Sequence, residues 1–222
     1  VAAWVRPTAL PIALLLGASV SRGKRAVLTG LVSFVIALAV LSPWTMRNQR
    51  ELGAPVLAST NAGFNLLLGT VGRGAFGTLP EGIDCDRALD EVSKDRCRRD
   101  LAIARIVDDP LAWLGRGLMK LGDTFAHEST PAHYLADAVV SGDRDVIRTV
   151  ALVATLPFWI VVILAAIRGS LVSRRRRALW VVLAPIAGIA AVHFVFIGGD
   201  RYHAEVAPMI LALASVGLSR RR

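Results

Sequence analysis

The chain has 222 residues, of which 54% are hydrophobic, and it carries a formal net charge of +9. A basic balance of this size is found in nucleic-acid-binding proteins and also in membrane proteins. The basic residues, including the arginine run 174–177, lie in short segments between long apolar runs. Such segments usually set membrane topology by contacting anionic lipid headgroups, so we expect a membrane protein with no nucleic-acid partner.

Three apolar runs are long enough to cross a bilayer as helices. Residues 26–45, 149–167 and 178–197 contain no Lys, Arg, Asp or Glu, and each is close to the ~20 residues that the hydrocarbon core requires. Residues 1–20, apolar from residue 7 onward, and residues 204–219 are shorter candidates. Both are either tilted spans or broken helices, and the first is alternatively the remainder of a helix whose start is missing. We expect an all-α polytopic membrane protein with about four to five transmembrane helices.

The segments between these runs predict the orientation. Residues 21–25, 168–177 and the tail 220–222 hold three, five and three Lys or Arg and no acid, so the positive-inside rule places them in the cytoplasm. Residues 46–147 hold twelve Lys or Arg against fifteen Asp or Glu, and we expect them to form an extracytoplasmic domain. The loop 198–203 is then external as well. These assignments alternate consistently and predict a multi-pass protein of the cell membrane.

The first residues do not resemble the start of a secreted or membrane protein. The chain begins with Val1, and the residues that follow lack the charged, apolar and cleavage-site order of a signal peptide. We therefore expect the C-terminal part of a longer protein, inactive as this fragment alone.

The extracytoplasmic region predicts several local structures. The run FNLLLGTV at 64–71 is typical of a short strand or of an apolar plug against the membrane. Two helices are expected at about 86–108 and 110–126, the second with Asp109 as its N-cap and Pro110 in its first turn. The leucines of this second helix share one face: Leu111, Leu114, Leu118 and Leu121. The helix either lies on the outer membrane surface or packs inside the external domain.

Cys85 and Cys97 both fall in the external region, where disulfides persist. On one continuous helix their Cα atoms would be about 18 Å apart, which is too far for a bond. A bridge therefore requires a turn between them, near Ser93. A disulfide and two free buried thiols are equal alternatives.

Two motif-like patterns fail on their context. The glycines of GRGAFG (72–77) match the dinucleotide-binding spacing, but Pro80 follows, and no helix can begin where the motif requires one. His127 and Glu128 begin a zinc-protease pattern, yet Pro131 stands where its second histidine is required. The sequence thus indicates no cofactor and no metal site, and it leaves dependence on a divalent metal open.

His193 lies inside the third long apolar run, four residues before its outer end. Ionisable residues within membranes are costly and often functional, but a nearby interface relieves much of that cost. We interpret His193 as a neutral, hydrogen-bonded structural residue.

A group of polar side chains is predicted at the outer membrane face. Arg47 follows the first long span, and Arg201, Tyr202 and His203 lie in the short loop before the last apolar run. Arg201 would bind a phosphate of a lipid carrier through bidentate hydrogen bonds, with Tyr202 as a neutral donor. The alternative is interfacial anchoring, for which Arg and Tyr are equally typical.

Four blocks of sequence stand out in order along the chain. They are RPTAL (6–10), PWTMRNQRELGAPVLASTNAGFNLLLGT (43–70), DDPLAWLGRGLMKL (108–121) and GDRYHAEVAPMILALA (199–214). Together they resemble the C-terminal half of GT-C glycosyltransferases, the relatives of dolichyl-phosphate-mannose protein mannosyltransferases and lipid A aminoarabinose transferases. The resemblance covers nearly the whole chain.

The resemblance implies an enzyme that moves a sugar from a polyprenyl-phosphate donor to an extracytoplasmic protein or glycan acceptor. It also implies that the general base, an acidic residue, lies in the absent N-terminal half, so no catalytic residue is assigned in this chain. Arg201 and Tyr202, with Arg47 as second choice, would bind the donor phosphate.

Three further residues are candidates for the substrate face: Asn61, Asn65 and His203. The two asparagines either shape a turn that roofs the active site or contact the substrate directly. The alternative to an enzyme is a non-catalytic membrane scaffold or a carrier-lipid transporter, although the internal repeats typical of transporters are not found in the sequence.

Overall fold

The computed structural model describes residues 8–74, 79, 83, 85, 87, 90–126, 129–138 and 143–219. These residues form nine α-helices, one 3-10 helix and no β-strand. The helices in chain order are α1 (Ala9–Ser19), α2 (Lys24–Leu52), α3 (Ala62–Leu68), α4 (Glu91–Asp108), α5 (Pro110–Thr124), α6 (Ser129–Ala138), α7 (Arg144–Val172), α8 (Arg176–Val195), the 3-10 helix (Asp200–Val206) and α9 (Ala207–Leu218).

Three of the described helices are long and apolar enough to cross a membrane, namely α2, α7 and α8. They correspond to the three long apolar runs of the sequence. Large apolar side chains on these helices stay exposed, among them Val27 (64%), Val153 (65%) and Leu171 (75%). Such surfaces are unfavourable in water and imply contact with lipid. The prediction of an all-α polytopic membrane protein is confirmed.

Local signals set where the long helices begin and end. Gly53 follows α2 in the left-handed conformation, with φ of 68°, which glycine adopts without steric cost. Asp143 precedes α7, and its carboxylate accepts hydrogen bonds from the N–H groups of Asp145 and Val146, the usual N-cap arrangement. Because α2 continues to Leu52, its last turns extend beyond the predicted span 26–45.

The two shorter apolar runs form helices below spanning length. α1 has 11 residues and α9 has 12, so each is roughly 17–18 Å long against a hydrocarbon core of about 30 Å. The 3-10 helix directly precedes α9. The predicted helix 204–219 is therefore a broken helix whose first part is 3-10, one of the two alternatives for this run.

Small residues allow the membrane helices to approach closely. A Cβ on Gly17 of α1 would overlap Ser33 Oγ of α2, and a Cβ on Gly217 of α9 would overlap the carbonyl oxygen of Ala165 in α7. Helices in membranes associate largely through such backbone proximity. The α1–α2 and α7–α9 pairs are accordingly the most extensive packing in the described chain, and α1 also packs on α8.

The membrane helices have two chemically different ends. At one end, Thr8 donates a hydrogen bond to Glu205 at 3.4 Å, and Leu10 of α1 packs with Leu41 of α2. We call this the outer end, after the side on which the charge pattern predicts it to lie. At the opposite end, which we call the basic end, the loop 21–25 and the start of α8 line one groove. Two segments that the charge pattern assigned to one side thus meet at one end.

Residues 64–68 of the run FNLLLGTV are helical, so the strand, one of the two alternatives for this run, was wrong. The carboxylate of Asp95 on α4 accepts hydrogen bonds from the N–H groups of Gly63 at 2.7 Å and Phe64 at 3.3 Å, at the start of α3. These contacts satisfy N–H groups that a helix start leaves unpaired. Leu67 and Leu68 at the other end are buried. A contact between residues distant in the sequence therefore caps the start of this helix.

Cys85 and Cys97 are joined by a disulfide, with their Cα atoms 5.7 Å apart. Cys97 lies on α4, which begins at Glu91 rather than at residue 86 as predicted. The chain turns ahead of this start, where the Ser93 N–H donates to the N-cap carboxylate of Asp90 at 2.8 Å. The turn that a bridge requires therefore precedes α4, and Ser93 lies in the first helical turn.

Candidate functional site at the outer end

The 3-10 helix that carries Asp-Arg-Tyr-His is fixed at its first residue. Asp200 is 3% exposed. Its carboxylate accepts hydrogen bonds from Ser129 Oγ at 2.6 Å, from the Thr130 N–H at 2.7 Å and from the Thr130 hydroxyl. All three donors belong to the start of α6, so Asp200 ties the 3-10 helix to α6.

The electrostatics of Asp200 follow from these contacts. Burial by itself would raise the pKa of the carboxyl, but the hydrogen bonds from Ser129 and Thr130 outweigh burial and hold the pKa below its usual value. The carboxyl group is therefore an anion at neutral pH, and it accepts hydrogen bonds from Ser129 and Thr130 of the protein. Its role is that of an anchor.

Arg201 and Tyr202 form a pair that rests on His193. Nη2 of Arg201 donates to the Tyr202 hydroxyl at 2.7 Å, and the guanidinium carbon lies 4.8 Å from the centre of the Tyr202 ring. This ring stacks on the imidazole of His193, with centroids 4.0 Å apart and planes at 20°. Arg201 is therefore positioned, through Tyr202, by the outer end of α8.

His193 is buried and hydrogen-bonded, as expected from the sequence. Its Nδ1 donates to the carbonyl oxygen of Ile197 at 2.6 Å. The histidine is thus a platform for Tyr202 and a tie to the residues that follow α8.

His203 lies in the protein interior and not on the surface that the sequence analysis assigned to it. Its side chain is fully buried, its Nδ1 donates to the Thr124 carbonyl at 2.8 Å, and its ring stacks on Trp159 at 4.4 Å. Trp159 in turn donates to the carbonyl of Phe125 at 3.0 Å. The end of α5 thereby joins α7 to the 3-10 helix.

The PWTMRN segment of α2 holds the loop that follows this helix. Three of its side chains donate to backbone carbonyls of that loop: Trp44 to Ala58 (2.9 Å), Thr45 to Leu57 (3.1 Å) and Asn48 to Val56 (2.9 Å). The spacing of these donors along α2 matches three successive carbonyls. This part of the segment has a structural role.

Arg47 lines a separate cleft of about 430 Å³. The guanidinium carbon lies 5.1 Å from the ring centre of Trp44. Glu51 and Glu91 line the same cleft. Arg201 and Tyr202, which the structure also describes, do not line it. The structure therefore does not bring Arg47 into one site with the other two predicted phosphate-binding residues.

Asn61 and Asn65 belong to α3 and its N-cap. Asn61 occupies the N-cap position and is exposed, but within the described chain the cap is supplied by the Asp95 carboxylate and not by the Asn61 side chain. Asn65 is half-buried, and its backbone carbonyl accepts the hydrogen bond from Gly69 that ends the helix. Asn65 lies on a helix packed against α4, whereas Asn61 lies in the turn that leads into this helix.

Sequence reasoning missed Lys120, the largest fully buried side chain of the described chain. Its Nζ donates to the carbonyl oxygens of Gly69 at 3.1 Å and Val195 at 3.0 Å. Glycines surround the side chain, because a Cβ on Gly69, Gly74 or Gly198 would come within about 3.1 Å of it. The sequence feature that could have indicated this residue is its position on the face of α5 opposite the leucines.

Burial, and to a lesser extent the nearby positive charge of Arg116, together lower the pKa of Lys120 to about 8. The two carbonyls that accept from Lys120 lie at helix C-termini, where the helix dipole favours a cation. These partners explain why a lysine is tolerated at a fully buried position.

The apolar face of α5 is exposed on the surface of the protein. The N-cap was predicted correctly, since Asp109 accepts a hydrogen bond from Ala112 N–H at 2.9 Å. Leu111 and Leu118 are 78% and 67% exposed, so they do not pack in a core formed by the described helices. The other face packs on the outer end of α8, where the rings of Trp113 and Phe194 meet edge to face at 5.8 Å. This placement favours the membrane-surface alternative.

Some predicted features lie outside the described residues, including His127, Glu128 and Gly77. Within the described ranges, no group of three His, Cys, Asp or Glu side chains is arranged to hold a metal ion.

No family model, curated protein or solved structure matches the chain.

Proposed function

We propose that this chain is the donor-binding part of a membrane glycosyltransferase of the GT-C type. It would act on a sugar linked to polyprenyl phosphate and pass that sugar to an extracytoplasmic protein or glycan. The observation that carries the proposal is the Arg201–Tyr202 pair, a guanidinium and a phenol held together at 2.7 Å at the outer end of the membrane helices.

The chemistry of this pair suits a phosphate that leaves a sugar. A guanidinium binds phosphate oxygens through charge-assisted hydrogen bonds and stabilises the negative charge that grows as the bond to the sugar breaks. Such stabilisation is effective when the donor groups are fixed beforehand. Asp200 fixes the segment to α6, and His193 fixes Tyr202 from α8.

The surroundings suit a lipid-linked donor. A polyprenyl chain must stay in hydrocarbon while its phosphate lies at headgroup depth. α5 packs next to the end of α8 and exposes an apolar face through Leu111, Leu114 and Leu118. A helix of this kind at the interface gives the lipid part of the donor a surface beside the Arg201–Tyr202 pair.

Arg47 is the weaker candidate for the donor phosphate. Glu51 and Glu91 line its cleft, and two carboxylates oppose the binding of an anion. We assign the donor site to Arg201 and Tyr202 and leave proton abstraction to a residue outside this chain.

The experiment uses the complete gene product in lipid nanodiscs and, in parallel, in proteoliposomes, each incubated with polyprenyl-phosphate hexose or pentose labelled in the sugar. Release of unglycosylated polyprenyl phosphate, with the label moved to an acceptor or to water, supports the proposal. A donor that is carried across a proteoliposome membrane unchanged identifies a carrier-lipid transporter. A donor that is neither consumed nor moved contradicts both and favours the scaffold.

A further inference from the structure

A groove opens at the basic end of the membrane helices, between the α1–α2 hairpin and the start of α8. Its volume is about 460 Å³. Its lining combines cationic and apolar side chains, chiefly Arg22, Arg176, Arg177, Leu15, Trp180 and Leu183.

The cationic part of the groove has no acidic counterpart nearby in the sequence. The described stretches 8–46 and 146–199 contain no Asp or Glu, and the groove is built from these two stretches. Arg22, Arg176 and Arg177 are all exposed. The charge that complements three guanidinium groups on one surface is an anion with several oxygen atoms.

The apolar part continues from the arginines along the membrane helices. Leu15 lies on α1 and Leu183 on α8, each within an apolar run. Trp180, one turn into α8, is 61% exposed, and tryptophan prefers the headgroup level of a bilayer. A soluble anion would cover the arginines and leave this apolar floor open, whereas a phospholipid covers both.

We propose that this groove is a binding site for an anionic phospholipid of the cytoplasmic leaflet. The headgroup phosphate contacts Arg22, Arg176 and Arg177, and an acyl chain lies along Leu15, Trp180 and Leu183. The site is at the end opposite the Arg201–Tyr202 pair and does not depend on the proposed function. Basic pockets between membrane helices on the cytoplasmic side are suited to anionic headgroups.

The test uses Trp180 as a reporter in the complete gene product, reconstituted in nanodiscs. Quenching of tryptophan fluorescence is measured with brominated phosphatidylglycerol and with brominated phosphatidylcholine at equal mole fractions, and the signal of a Trp180→Phe variant is subtracted. We expect stronger quenching by the anionic lipid. Replacing Arg22, Arg176 and Arg177 by Gln should reduce this preference at least about tenfold, since each cation near a headgroup contributes measurably.

A matched control removes the same amount of positive charge from the same two regions of the chain, 22–24 and 174–177. Lys24, Arg174 and Arg175 are exposed and are not among the groove-lining residues, and their replacement by Gln should keep most of the preference. If the groove variant does not fold, as judged by circular dichroism and gel filtration, the single Arg177→Gln variant takes its place, with an expected loss of about fivefold.

Three outcomes overturn the proposal. Equal loss in the groove variant and the control indicates a diffuse surface potential instead of a site. An unchanged preference in the groove variant shows that these arginines do not bind the lipid. Relief of quenching by millimolar inorganic phosphate shows a site for a soluble anion.

Discussion

The Nζ atom of Lys120 lies 3.0 Å from the carbonyl oxygen of Val195, the last residue of α8. The same ammonium donates to Gly69, the C-cap of α3. One buried side chain on α5 thus satisfies the carbonyl ends of two other helices. Lys120 therefore links α8, the membrane helix that carries His193, to α3 and α5.

The lowered pKa of Lys120 predicts a dependence of stability on pH. In the unfolded chain the lysine titrates near 10.5, and in the folded protein near 8. Between these values the unfolded state binds more protons, so the free energy of unfolding rises as the pH increases from about 8 to about 10.5. Below pH 8 the cost of the buried charge is fully present. The rise should be on the order of 2 kcal/mol.

A comparison with Lys120→Met isolates this effect from other titrating groups. Denaturation in mixed micelles, measured at several pH values, should give a difference between wild type and variant that changes between pH 8 and 10.5. A difference that is constant with pH would show that the pKa of Lys120 is normal.

The glycines around Lys120 give a second prediction with an internal control. Gly74 and Gly72 both have positive φ, 73° and 48°, so alanine is strained at either position. Only at Gly74 would the added Cβ also meet Lys120, 2.5 Å from its Cδ. Gly74→Ala should therefore cost about 1–3 kcal/mol more stability than Gly72→Ala. Equal melting temperatures for the two variants would contradict the packing around Lys120.

The apolar face of α5 should contact lipid. A spin label on Leu118→Cys, at a side chain that is 67% exposed, should be more accessible to molecular oxygen than to a water-soluble nickel chelate. A label on Asp100→Cys, on the polar part of α4, should show the opposite order. The native cysteines are bonded to each other and do not compete for the label. A label at residue 118 that is more accessible to the nickel chelate than to oxygen would contradict the placement of α5 on the membrane surface.

Asp200 should stabilise the outer end as an anion. Asp200→Asn retains one acceptor but places an amide N–H₂ against the Ser129 and Thr130 donors, and we expect a loss of about 2–4 kcal/mol. Asp123→Asn, at an exposed pair with Arg73, should cost much less stability.

The contribution of Asp200 to the free energy of unfolding should also depend on pH. Because the folded pKa of Asp200 is lowered, this contribution is present above the unfolded pKa of about 3.9 and is lost as the pH falls through the folded value. A wild-type stability that shows no more acid loss than the variant would contradict this.

The sequence was sufficient for features that depend on local composition. The long apolar runs predicted α2, α7 and α8 because bilayer thickness fixes the length of a spanning helix. The cap at Asp109 was predictable because an N-cap contacts only its own first turn.

Features that depend on distant contacts could not be read from the sequence. The start of α3 is capped by Asp95, about thirty residues away along the chain. Lys120 is buried because carbonyls of two other helices converge on it. His203 was expected at the substrate face, but Trp159 covers its ring from α7. In each case a polar side chain contacts an element that is distant in the sequence, and a sequence pattern does not show such a contact.

The most direct test of the proposed donor site is the rate of sugar transfer by Arg201→Ala, compared with wild type and with Arg73→Ala. Arg73 is an exposed arginine paired with Asp123, so its replacement is a matched loss of one positive charge. We expect Arg201→Ala to lose transfer from polyprenyl-phosphate sugar by at least about a hundredfold, as for removal of a fixed group that stabilises the transition state. Membrane insertion and melting temperature should remain those of wild type. Normal transfer by Arg201→Ala, in a preparation where wild type is active, would contradict the assignment of this arginine to the donor phosphate.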